Sequence, residues 1–169
     1  VELLANEVSK KFSQIENNLT RIFSLIYTNS NINKYIYYLT NDPLSEPKVP
    51  IDLYENGNYF LTFFDGSIPN TEKIRIYINA VSGNFTKTPL STIKILVEVV
   101  IPNKYSYLAG MGQVRAIRIF DEISQMVDQQ KVAGITDAHI SNYSSGKIAN
   151  TEYCAFVLEI SVNSSTLKG

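Results

Sequence analysis

The chain predicts an α+β fold, with N-terminal helices followed by a mainly antiparallel, mixed sheet of about five strands and one helix packed on a face. Three observations predict it. Glu152–Val162 (EYCAFVLEISV) alternates, placing Cys154, Phe156, Leu158, Ile160 and Val162 on one side of a strand. Thr92–Ile101 (TIKILVEVVI) is a nearly continuous β-branched run. Gln113–Gln130, between them, has helical spacing.

The first element is a long helix over 2–27. Val8, Phe12, Ile15, Leu19, Ile22 and Ile26 form its apolar seam, which suits packing along its own domain or against another subunit. Thr28-Asn-Ser-Asn31 supplies capping residues for a second helix, Ile32 to Leu39, which Pro43 terminates. Pro43, Pro47 and Pro50 stiffen the connector that follows. Tyr59–Phe64 reads as a short strand and Asp65-Gly66 as a turn. Lys73–Val81 alternates Ile74, Ile76 and Ile78 against Arg75, Tyr77 and Asn79. A loop at 82–89 returns the chain into the strand at 92–101.

Pro102–Gly112 is a second loop, and Gly110 and Gly112 give a tight turn into the next helix. Val114, Ile117, Phe120, Ile123 and Val127 are its expected inward stripe, with Met126 beside them. Ile135–Asn142 is a strand, and the polar stretch Tyr143–Thr151 is read as a loop leading to the last strand. No composition shift or repeat divides residues 1–169, so a single domain is expected.

Hydrophobic content of 44% and charged content of 18% suit an ordinary globular core. Eleven Tyr and eight Phe against so few charges suit surfaces that become buried on neighbours. Fifteen Lys and Arg are scattered at net charge −1, and the densest spots, Lys10-Lys11 and Arg115/Arg118, form no phosphate-tracking stripe. Tight nucleic-acid binding is therefore disfavoured, whereas DNA could pass through an assembly ungripped. The opening VELLANEVSKKF lacks a signal-peptide layout, and no apolar run reaches membrane-spanning length.

Chemistry finds little purchase. One cysteine, Cys154, permits no internal disulfide and no Cys-based zinc site, and its place in the last strand suits a small core residue. His139 is the only histidine, and no G-x-S-x-G elbow accompanies it. Asp121 and Glu122 are adjacent on a helix and point apart, toward solvent or a neighbouring subunit. Gly110-Met-Gly-Gln-Val-Arg115 lacks the third glycine of a dinucleotide fingerprint and the Lys-Ser/Thr of a P-loop. No catalytic, cofactor-binding or metal residue is expected, and the chain is read as not an enzyme.

A further pattern lies in the order of motifs. Tyr35-Ile-Tyr-Tyr-Leu-Thr-Asn-Asp42-Pro43-Leu44-Ser-Glu-Pro47 follows a helix. Lys73-Ile-Arg-Ile-Tyr-Ile78, Arg115-Ala-Ile-Arg-Ile-Phe-Asp-Glu-Ile123, Gly134-Ile135, the Asn/Ser-rich 142–150 and Tyr153 come next. In that order, over residues 19–162, the chain resembles the tail-terminator and neck (head–tail connector) proteins of tailed bacteriophages. It departs from their pattern in having Val114-Arg115 where a proline-containing helix start is expected, and in its longer first helix.

The resemblance implies a structural virion protein, assembled in the bacterial cytoplasm into a homo-oligomeric ring at the head–tail junction. Its partners would be copies of itself, portal or connector and tail proteins, and DNA crossing the channel without specific binding, with no membrane and no cofactor. Candidate interface residues are Tyr37, Tyr38 and Leu44, with Asn84 and Phe85 in one loop and Ser144, Ser145 and Lys147 in another. Tyr37 and Tyr38 could equally pack inside one subunit. The alternative function is a standalone α+β ligand- or peptide-binding module, and a more distant one a hydrolase using His139.

Overall fold

β-Branched side chains crowd a helix but suit a pleated surface, and the long runs of them become a sheet. The computed structural model describes residues 2–66, 71–85, 90–110, 112–129, 137–148 and 151–165, with side chains from residue 13 onward except at 83–85, 90–91, 128–129, 137 and 164–165. Helices α1 (Glu2–Thr28) and α2 (Ser30–Tyr37) come first. Strands β1 (Tyr59–Phe60), β2 (Arg75–Phe85) and β3 (Leu90–Pro102) follow, then α3 (Arg115–Gln129), β4 (Asp137–Lys147) and β5 (Tyr153–Ser165). Short 3-10 turns sit at Pro43–Ser45 and Asn103–Tyr105.

The sheet runs β1-β2-β3-β5-β4, and only the β1–β2 pair is parallel. Its register aligns apolar residues across the three central strands. Ile78 lies opposite Val97 and Val97 opposite Leu158; Ile95 lies opposite Ile160, and Ile93 opposite Val162. These side chains share the face that, with all three helices, encloses the core. Lys94, Leu96, Glu98, Val157 and Glu159 occupy the other face, where they are only half-buried. The alternation read from 92–101 and 152–162 is thus the difference between the two faces.

From α1, Ile22 and Ile26 are buried and Ile15 and Leu19 pack against the core, so the described part of the predicted seam lies along its own domain. The Asn29 side chain caps α2, its Oδ1 accepting from the N–H groups of Asn31 and Ile32, both at 2.9 Å. Ala116, Ile119, Phe120, Ile123 and Val127 of α3 are buried. Ile117, expected in that stripe, is exposed instead. At about 100° per residue it sits a quarter-turn from Ala116, and Ile119 takes the inward place.

Arg115, the first residue of α3, is 0% exposed. Its Nη1 donates to the carbonyls of Tyr35 (2.8 Å) and Tyr38 (2.9 Å), which are end groups of α2. Nη2 donates to Thr40 O at 2.5 Å and Nε to Tyr105 O at 2.8 Å. Carbonyls at a helix C-terminus lack helical donors and carry partial negative charge, so the guanidinium both caps α2 and complements its dipole. Burial pushes the Arg115 pKa down to about 10, which leaves it a cation at neutral pH. Backbone bonds continue the tie: Arg115 N–H to Ser106 O (2.8 Å) and Ala109 N–H to Asn41 O (2.7 Å). Gly110 and Gly112 have φ of 113° and 73°, as the predicted tight turn requires.

Several boundaries differ from expectation. α2 stops at Tyr37, well before Pro43, because Arg115 takes over its last carbonyls. β1 ends at Phe60 rather than Phe64; the chain then turns so that Phe60 stacks on Tyr77 (4.8 Å) and Phe64 packs against it (5.2 Å). β2 continues through a bulge after Ala80 to Phe85, so Asn84 and Phe85 belong to a strand, and the hairpin tip at 86–89 lies outside the described residues. Ser144, Ser145 and Lys147 belong to β4, not to a loop. An edge strand meets solvent along its free side and does not need the apolar alternation that sequence reading looks for. The expected Gly134-Ile135 motif lies outside the described residues.

Arg115→Met should destabilise the protein by about 3 kcal/mol or more, because one buried and three partly buried carbonyls lose a charged donor together. Arg115→Lys should lose most of the same, since a compact ammonium cannot span carbonyls that a planar fork reaches. Urea unfolding of the two variants checks this; equal midpoints for wild type and Arg115→Met would refute it.

Candidate assembly interface

An outward-facing site in this fold can be built from strand edges, from the uncovered sheet face or from corners where helices meet loops. The expected interface residues divide among these places. Tyr37 and Tyr38 end α2 and are half-buried, their rings edge-to-face at 4.8 Å. Tyr37 packs against the core, and Tyr38 gives its carbonyl to Arg115, so both have intramolecular work. Leu44, in the neighbouring 3-10 turn, is exposed, and Lys34 Nζ reaches its carbonyl at 3.0 Å. These three form one corner.

Ser144, Ser145 and Lys147 are exposed along β4. Lys147 lies opposite Cys154, whereas Asn84 pairs with Thr92 and Thr92 with Asn163. Cys154 and Asn163 are about 30 Å apart along β5 at the rise of a strand. The β4 residues and the Asn84–Phe85 pair therefore occupy opposite ends of the sheet. The side chains of Asn84 and Phe85 are outside the described set.

Sequence reading missed other outward features. Phe63 is 58% exposed and Tyr107 66%, both on irregular segments without periodicity to mark them. Leu96, Asn142, Tyr143, Ser144, Val157 and Glu159 line a shallow cavity of about 180 Å³ beside β4. A larger, half-open groove of about 370 Å³ lies among Tyr27, Asn33, Lys48, Val49, Ile51 and Leu53. Tyr27 Oη donates to Asp52 Oδ2 near it at 2.7 Å, which raises the tyrosine pKa and lowers that of the carboxyl.

The charged groups mainly tie strands and helices together. Lys94 and Glu159 pair at 3.0 Å across β3 and β5, and Ser141 Oγ donates to Glu159 Oε1 at 2.7 Å. The serine bond first, and the lysine second, hold the Glu159 pKa below the usual carboxylate value. Glu122, expected to face solvent or a neighbouring subunit, instead accepts from Asn29 Nδ2 (3.3 Å) and Asn31 Nδ2 (2.9 Å) at the start of α2. Asp121 is exposed beside Arg118 at 3.5 Å. Glu72 is held low in pKa by Lys104 and Tyr105, at 2.7 and 3.1 Å.

His139 is exposed on β4. Cys154 packs against the core and donates to Asn103 Oδ1 at 2.8 Å. Among the described residues, no three His, Cys, Asp or Glu side chains gather where they could hold a metal ion. No described helix is long and apolar enough to cross a membrane.

Fold and surface together define a one-sheet α+β domain whose outward features are an open strand edge, scattered exposed aromatics and shallow grooves. The sequence model of the YomW family matches residues 29–162, and the chain belongs to that family. The match starts at the Asn29 cap and ends within β5, so it takes in all the strands and leaves out α1. It makes the chain a phage-associated protein. A comparison with curated proteins finds no match.

Ser141→Ala should raise the Glu159 pKa toward that of an ordinary carboxylate, observable by NMR titration of its side-chain carboxyl carbon. A carboxyl whose folded pKa is depressed contributes stability above its unfolded pKa, about 4.3, and loses it as pH falls through the folded value. The variant should lose that contribution at higher pH than wild type. An unmoved Glu159 titration would assign the depression to Lys94 alone.

Proposed function

We propose that this protein is a structural, non-enzymatic component of a tailed phage particle, forming a homo-oligomeric ring at the head–tail junction as a tail terminator or neck layer. The single observation that carries the reading is the phage family match over residues 29–162, where the tail-terminator-like motifs stand in order. Supporting it is a surface with an open sheet edge and exposed Leu44, Phe63, Tyr107 and Tyr143, as expected of a block that works by being packed among neighbours.

The mechanism is mechanical. Identical domains joined head to tail close a ring around the channel, and its two rims meet different neighbours. Net charge of −1 suits a wall past which DNA slides. In this reading the Leu44 corner and the two ends of the sheet are the regions that touch other subunits or layers, and the virion is where the protein resides.

A second reading, a standalone ligand- or peptide-binding module, is favoured by one feature, the groove of about 370 Å³ beside Tyr27 and Leu53. Mass spectrometry and electron microscopy of purified particles separate the two. The ring reading expects the chain in the particle in several copies, placed between head and tail, and expects no retention on duplex DNA at about 0.15 M salt. Its absence from purified particles would overturn the reading.

A further inference from the structure

Resting on the ring reading, we infer that neighbouring copies are joined by main-chain pairing of β4 of one copy with the unpaired side of β2 of the next, so that the sheet continues from subunit to subunit. The argument starts from hydrogen-bond alternation. In an antiparallel pair, successive residues turn their N–H and C=O alternately toward and away from the partner strand. Ile148 N–H donates to Tyr153 O at 3.1 Å, one step beyond the Lys147–Cys154 pair. Counting back, Gly146, Ser144 and Asn142 bond β5, while Lys147, Ser145 and Tyr143 direct their main-chain groups away from the sheet.

Two other bonds give the same assignment. Asn103 N–H to Glu152 O (2.7 Å) sets the alternation between β3 and β5. Ile76 N–H to Asn58 O (2.8 Å) sets it between β2 and β3. Carried across the sheet, each turns Glu159 toward β4, as the first count does.

Proteins protect open strand edges with charge, proline or bulges. β4 has a bulge at Ser141, but Asn142-Tyr-Ser-Ser-Gly146 beyond it carries no charge and no proline, and its residues are exposed. On the opposite margin, β1 covers β2 only at Ile76 and Tyr77. Beyond Tyr77, among the described residues, no strand lies on the side of β2 away from β3; Ile78 and Asn79 are buried, so the open stretch runs from half-buried Ala80 through exposed Val81 and Ser82 to Phe85.

The occupant follows from strand direction. β2 and β5 run one way and β3 and β4 the other, so the two open margins are antiparallel to each other. A second copy displaced sideways, without inversion, presents its β2 antiparallel to β4 of the first. This joint uses unlike surfaces and repeats with every copy oriented alike, as closure into a polar ring requires.

Ser145→Pro tests the joint. A proline whose missing N–H would point outward is tolerated within an edge strand but blocks a strand from adding there. Ser144→Pro, one position away, removes a bond to β5 and should unfold readily. Sedimentation of the full chain over a concentration series should take wild type to a closed assembly larger than a dimer. Ser145→Pro should assemble about tenfold or more weakly, with its melting temperature within about 4 °C of wild type. Hydrogen exchange on wild type gives a readout independent of that variant: the Ser145 and Lys147 amides should slow about tenfold or more on assembly, whereas the Tyr143 N–H already donates to Asn142 Oδ1 at 2.8 Å.

Equal assembly by a folded Ser145→Pro, or unchanged exchange at the Ser145 and Lys147 amides in the assembled protein, would overturn the joint and leave the ring reading standing. A wild type that stops at a symmetric dimer would overturn the head-to-tail pairing. A wild type that stays single at every concentration would refute edge pairing as a self-sufficient contact, while the particle experiment decides the ring separately.

Discussion

The buried guanidinium of Arg115 is the constraint on which the helical half of the molecule depends. A charge taken wholly out of water is tolerated only when surrounding polar groups replace its hydration, and here carbonyls from three segments do so. The requirement works in both directions. The carbonyls of Tyr35 and Tyr38 belong to the frayed end of a short helix, which would otherwise have to stay solvated. The end of α2, the segment to Asn41, the turn at Asn103–Tyr105 and the start of α3 are therefore set together. Glu122 and the Asn29 cap make a second tie between α3 and α2, one at each end of the shorter helix.

That arrangement determines what the sheet can present. The helices cover one face and close the core over Ile76, Ile95, Val97 and Leu158. The other face keeps a compromise of half-buried aliphatics with Lys94, Glu98 and Glu159, partly roofed by Phe60 and Phe64 over Tyr77. β3 and β5 are paired on each side, so among the described residues the strand backbone with no neighbouring strand lies at the margins, β4 on one side and β1 with the uncovered part of β2 on the other. The aromatic richness of the chain is also largely used inside: Tyr35, Tyr59, Tyr77, Phe120 and Phe156 are buried. Composition alone had pointed to an aromatic surface, but among the described residues the exposed aromatics are few and dispersed, and the more continuous outward feature is the β4 main chain.

Legibility from sequence followed physical period. Where one side of an element is buried and the other wet, as in 92–101, 152–162 and the seam from Ile15 to Ile26, alternation was sufficient to place the element. It failed where burial is one-sided for another reason. β4 past Ser141 packs edge-on, with only Tyr143 reaching Phe120 at 5.9 Å, so NYSSGK has the composition of a loop and the backbone of a strand. Ile117 misled because the pattern at 114–127 is apolar over more than one stripe, and Ala116 and Ile119 are the residues that fit. Arg115 was read as part of a basic spot, since nothing local marks an arginine whose Tyr35, Tyr38 and Thr40 acceptors lie 80, 77 and 75 residues earlier. The candidate interface was legible as a set of outward residues but not as places, because the register that separates Asn84 from Lys147 exists only once the strands are paired.

The family match adds a last constraint. It begins at the cap of α2, so the part of the architecture that the family model covers is α2, α3 and nearly all of the sheet, with α1 outside it. α1 is about 40 Å long, given the helical rise. Among its described side chains, which begin at residue 13, Asn18, Ile22 and Ile26 are buried, and it packs against β2 and α2. In the proposed head–tail position the two rims would be unlike, so every copy would have to point the same way, and a device that pairs copies by inversion would not serve. A sheet whose margins run in opposite directions meets that demand through backbone alone, whatever side chains decorate the rims. On that proposal side chains would be left to distinguish the layer above from the layer below, a division of labour that suits a β4 margin as plain as Asn-Tyr-Ser-Ser-Gly.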